Sequence, residues 1–121
     1  MIVYCCADLI FATKVRSTCE ALGAVSRPAR NGEMLQKRLD QVDDGKPNGP
    51  VALLLVDLDL GKPALDLIQQ ARAHNTELPI LAWGPHVAVQ LLNAAGEAGA
   101  SEVMTRGSFT AKLPEIVKQF G

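Results

Sequence analysis

Two stretches of the chain are apolar at consecutive positions, VALLLVD at 51–57 and LPILAW at 78–83. Unbroken apolar character over six or seven residues marks a strand covered on both faces. IVYCCA at 2–7 is a third short run, with β-branched and aromatic residues, and reads as a strand. AVSRPAR at 24–30 is weaker, and Pro28 pushes it toward a sheet edge because proline cannot donate to a ladder. SEVMT at 101–105 is a fifth, short strand. Between these runs the period changes. Residues 9–22 bring Ile10, Val15, Cys19 and Leu22 toward one helical face, and Gly23 stops the helix. Asn31 caps a helix over 32–42 with Met34, Leu35, Leu39 and Val42 facing inward. DDGKPNGP at 43–50 is a turn-rich loop. KPALDLIQQARAH at 62–74 is a helix with Pro63 in its first turn, and HVAVQLLNAAGEAG at 86–99 is another, closed by glycine. The last helix is expected over 109–120, with Pro114 delaying its onset to about residue 113.

Five strands thus alternate with five helices. Such alternation requires crossover connections and gives an α/β three-layer sandwich, a parallel sheet with helices on both faces. The 121 residues fit a single domain over 1–121. In these sheets the functional crevice lies outside the carboxyl ends of the strands. That rim carries Cys6, Ala7 and Asp8 after the first strand, and Asp57 and Asp59 after the third. Trp83 and Gly84 follow the fourth, and Thr105 and Arg106 the fifth.

Composition narrows the functions. A formal net charge of -1 leaves no electrostatic footprint for nucleic acid or an anionic membrane. No apolar run approaches the roughly 20 residues of a spanning helix. MIVYCCAD lacks the basic start of a secretory signal, so the expected location is cytoplasmic. Three cysteines, two of them adjacent, do not make a disulfide framework. Neither Cys5 nor Cys6 opens a Cys-x5-Arg phosphate loop, since Phe11 and Ala12 stand where the arginine would be. No glycine-rich lead-in supports a P-loop or a dinucleotide fingerprint. His74 and His86 read as solvated residues of a helix end or loop. The expectation is therefore not an enzyme, and no cofactor.

LLLVDLDLG, ELPILAWG and GASEVMTRG, with the element order, length and rim positions of the whole chain, resemble the receiver domain of bacterial two-component response regulators. The resemblance implies the flavodoxin-like fold, strand order 2-1-3-4-5. It also implies a chemistry: an aspartate that takes a phosphoryl group, acids that hold Mg²⁺, a lysine and a hydroxyl on the phosphoryl oxygens, and an aromatic reporter. Asp57 matches the phosphoacceptor. The paired acids after strand 1 fall on Cys6 and Ala7, with Asp8 one step late. Asp59 stands where the family uses mainly a backbone carbonyl for the metal. The hydroxyl position falls on Gly84, the lysine on Arg106, the following proline on Gly107 and the reporter aromatic on Val103.

These departures fall together on the metal pair, the hydroxyl, the lysine and the reporter. The chain accordingly reads as a degenerate, pseudo-receiver signalling domain of, or derived from, a two-component system. It would act as a protein-interaction module not phosphorylated by the usual Mg²⁺ route. Its expected partner is an effector domain or other protein, or a second copy bound through helix 4, strand 5 and helix 5, with Val87, Leu91, Arg106, Phe109 and Lys112 on that face. Arg106 is expected to pair with Asp57 across the rim. The alternative is an active phosphoacceptor, with Asp8, Asp57 and Asp59 around Mg²⁺ and Arg106 as phosphoryl clamp. A further alternative is a small-ligand sensor using the remodelled rim. Leu9 or Ile10 is expected to pack on the sheet; otherwise the two fill the vacated pocket or form a contact surface. Trp83 is an interface residue if exposed and a core residue if buried.

Overall fold

The computed structural model describes the backbone of residues 1–43, 46, 47 and 49–121, and their side chains outside 42–48. The loop expected over 43–50 falls partly outside this description, as does the side chain of Val42. Five strands form one parallel sheet: β1 (Ile2–Cys5), β2 (Ser26–Pro28), β3 (Leu53–Asp57), β4 (Ile80–Gly84) and β5 (Glu102–Thr105). Their order is β2-β1-β3-β4-β5, the flavodoxin-like arrangement. The continuous apolar runs became the centre: every residue of β1, β3 and β4 is buried. Pro28 ends the three-residue edge strand opposite Tyr4. A short antiparallel pair, Val42–Asp43 with Lys46–Pro47, lies outside this sheet.

Alternating side chains divide the core in two. On one face Val3, Cys5, Leu54, Val56, Ile80 and Ala82 join buried residues of α2 (Gly32–Leu39), α3 (Lys62–His74) and α4 (Val89–Ala98). On the other face Ile2, Tyr4, Leu53, Leu55, Leu81 and Trp83 meet α1 (Leu9–Ala21) and α5 (Arg106–Phe120). Adjacent Cys5 and Cys6 accordingly join opposite cores.

Helix boundaries follow local chemistry. Asp8 caps α1 by accepting from Phe11 N–H at 2.9 Å, and Asn31 caps α2 by accepting from Met34 N–H at 2.8 Å. Helix α2 ends at Leu39 rather than residue 42, because Gln41 adopts a φ of 61° that no right-handed helix contains. The inward face of α1 is also corrected. Val15 and Cys19 are buried, but Ile10 is 79% exposed and Leu22 is exposed too. Phe11 and Ala12, which follow the Asp8 cap, pack against that core instead.

Helix α5 departs furthest from expectation. It begins at Arg106, with Thr105 accepting from Ser108 N–H at 3.3 Å, and carries Pro114 in its interior. Proline has no N–H to return to the Thr110 carbonyl. Pro114 and Glu115 are exposed, so the ring projects outward and the turn is crossed without ending the helix.

Candidate functional site

The carboxyl ends of β1, β3, β4 and β5 bring the rim residues together beneath the starts of α1 and α5. Asp57, the last residue of β3, is 1% exposed. One carboxylate oxygen accepts from Ala7 N–H at 3.1 Å and the other from Asp59 N–H at 3.0 Å. The second bond caps the short 3₁₀ turn Leu58–Leu60. Burial pushes the Asp57 carboxyl above its ordinary range. The two N–H bonds oppose that shift, while the charges of Asp59 and Asp8 add to it.

Arg106, the first residue of α5, pairs with Asp59 and not with Asp57. The expected Asp57–Arg106 pair is thus corrected. Both Asp57 oxygens already face backbone donors at the sheet end, whereas Asp59 is the exposed residue of the 3₁₀ turn. The guanidinium carbon also lies 5.7 Å from the centre of the Phe11 ring, within cation–π range.

Leu58 is fully buried beside Gly84. A Cβ on Gly84 would stand 3.2 Å from Leu58 Cβ and 3.4 Å from one of its methyls. The place a hydroxyl-bearing side chain would need is therefore bordered by hydrocarbon. Burial, first, and the Asp57 charge, second, push the Cys6 thiol above its ordinary range. Val103 is half-buried and packs on the core, with no aromatic ring at that position.

Sequence reasoning missed the aromatic group. Trp83 is fully buried and stacks on Phe109, ring centres 3.9 Å apart and planes 4° from parallel. Phe11 tilts against both, at 5.8 Å from Trp83 and 6.4 Å from Phe109. Trp83 is therefore core. Phe109, expected on the interaction face, is buried and leaves it. The available signal was parity: Trp83 lies two residues from Leu81 on β4, so both point to the α1–α5 side. Leu9 is 83% exposed and Ile10 79%, so neither packs on the sheet or fills a pocket. Val87 and Val89, at the entry to α4, are also exposed. His74 and His86 are exposed as well.

The receiver fold implies a divalent cation at this rim, and the residues present do not fit one. Hard cations want several oxygen ligands. One Asp8 oxygen accepts in the α1 cap, each Asp57 oxygen accepts one N–H, one Asp59 oxygen pairs with Arg106, and Cys6 and Ala7 offer no side-chain oxygen. Among the described residues no cluster of three His, Cys, Asp or Glu side chains is placed to hold a metal.

No protein-family model matches the chain, and no curated protein matches its sequence. Solved structures match its fold. A response regulator from Thermotoga maritima superposes with a TM-score of 0.75 at 20% identity, over 98% of this chain and 94% of that one. The receiver domain of NtrX from Brucella abortus gives 0.76 at 16% identity, over 98% and 96%. The phosphorylated cyanobacterial phytochrome response regulator RcpA gives 0.74 at 15% identity, over 98% and 88%. The fold is that of response-regulator receiver domains. Among the described residues no helix is long and apolar enough to cross a membrane.

Proposed function

We propose that this chain is an atypical receiver-like signalling domain, of or derived from a two-component system, that works as a protein-interaction module without Mg²⁺-dependent phosphorylation. The observation that carries this reading is the state of Asp57: buried, with each oxygen accepting a backbone N–H. Phosphoryl transfer depends on counter-charge around the transferring group. Cys6 and Ala7 supply none, and Arg106 is engaged by Asp59.

The interaction face we assign comprises α4, β5 and α5, now with Val87, Leu91, Arg106 and Lys112 but without Phe109. Val87 is 75% exposed at its edge, and an apolar side chain so placed suits contact with an effector domain or a second copy. The same reading makes the chain a non-enzyme without a resident cofactor. It also places it in the cytoplasm, consistent with three unpaired cysteines, two of them buried thiols.

Incubation with Mg²⁺ and acetyl phosphate, followed by intact mass, tests the phosphorylation half. The expected result is no added phosphoryl mass, and no amide shifts at Asp57 with beryllofluoride. Stoichiometric modification that disappears in Asp57→Asn would overturn it in favour of an active acceptor. Analytical ultracentrifugation of the wild type and Val87→Glu tests self-association through the assigned face. Concentration-dependent dimers weakened by the variant are expected of a homodimer, and a strict monomer leaves a different protein as partner.

A further inference from the structure

On the α1 side of β1 and β2, away from the Arg106 side, a cavity of about 270 Å³ opens beside the rim at Cys6, Ala7 and Asp8. Tyr4, Asp8, Ala12, Arg16, Pro28 and Arg30 form most of its wall. Arg16 comes from α1, and Arg30 from the link between β2 and α2. Both are exposed, and neither has a hydrogen bond or acidic partner among the described residues. Asp8 is the one acid on the wall, and it is already occupied by the Phe11 N–H.

Tyr4 supplies the second observation. It is only 5% exposed, lines the cavity, and its hydroxyl has no hydrogen-bond partner among the described residues. The ring is buried while the hydroxyl itself reaches solvent at the cavity, free to donate into it. Burial pushes its ionisation up, against the opposing pull of Arg16 and Arg27, so the hydroxyl stays neutral and able to donate.

We infer that this cavity binds a small organic carboxylate, held by Arg16 and Arg30 with the Tyr4 hydroxyl as a third donor. Planar guanidinium forks match a carboxylate in shape. Two arginines against one aspartate leave a single net positive charge on the wall, which suits a monoanion and disfavours a phosphate dianion. Ala12 and Pro28 offer apolar contact to the body of the ligand. The volume lies just under the roughly 300 Å³ at which drug-sized sites begin, so the ligand is smaller than a nucleotide. The site shares no ligand-binding group with Asp57 or Arg106, so its failure would leave the interaction reading untouched.

The test is a titration of the ¹⁵N-labelled full chain with sodium benzoate, and separately with inorganic phosphate, at constant ionic strength. Saturable amide shifts centred on Ala7, Ala29 and Arg30 are expected with benzoate and weaker ones with phosphate. The double variant Arg16→Gln, Arg30→Gln should keep the wild-type spectrum elsewhere and lose about tenfold or more in affinity, because both replaced side chains are exposed. Tyr4→Phe, which preserves the ring in the core, should weaken binding about threefold to tenfold by removing one hydrogen bond. Shifts that do not saturate, that survive both variants, or that gather around Val87 and Ala111 would overturn the proposal. Tighter binding of phosphate than of benzoate would overturn the assignment to a carboxylate.

Discussion

Asp57 ends β3 buried, with a backbone N–H on each of its carboxylate oxygens. Its raised ionisation has a consequence for stability whose sign follows from linkage. The folded state holds this proton more tightly than the unfolded chain does. The contribution of the group is therefore full below the ordinary value of 3.8 and is lost as pH rises through the raised folded value. Urea unfolding of the wild type and Asp57→Asn over about pH 3 to 8 should show the stability difference, wild type minus variant, falling with pH and then levelling. A rising difference would mean that the two N–H bonds outweigh burial. The position of Asp57 was legible because an acid after five or more buried residues can only sit at the strand end. The partner of Arg106 was not. Two acids two residues apart flank the same rim, and the choice between them depends on which already has backbone donors.

At the scale of elements, caps and stops were readable where one side chain decides them. Asn31 and Asp8 take the N–H groups that their spacing offers, and Gly23, at a φ of 73°, follows α1. The start of α5 was hidden because Pro114 outweighs any other signal in a linear reading. Whether its ring clashes depends on which way that turn faces. Because the helix passes through it at the cost of one hydrogen bond, Pro114→Ala should raise stability by about 1–3 kcal/mol, less what the freer unfolded chain returns. Thermal unfolding followed by circular dichroism measures this. A fall in Tm would show that the Pro114 ring is needed where it lies. The periodicity of α1 misled for a related reason. Ile10 has the right spacing from Val15 only loosely, and the Asp8 cap turns the first helical residues toward solvent.

For the whole molecule, two apolar cores share one sheet, and strand β3 supplies both, through Leu54 on one side and Leu55 on the other. Unfolding is expected to be a single event. Trp83 fluorescence, which reports the α1–α5 core, and far-ultraviolet circular dichroism should give coincident urea transitions. Leu54→Ala, on the opposite side, should shift both together by about 2–5 kcal/mol. Separate transitions would show that the two cores melt independently. The packing of Leu58 beside Gly84 reaches further, into how this chain can change over generations. Gly84→Ser alone crowds Leu58 and should cost about 1–3 kcal/mol. Leu58→Ala alone opens a void and should cost about 2–5 kcal/mol. Made together, they relieve each other, so the double variant should be more stable than the two losses summed. A hydroxyl at position 84 is then reached in two steps, either of which costs stability when taken first, and the present rim is held in place by its own neighbours.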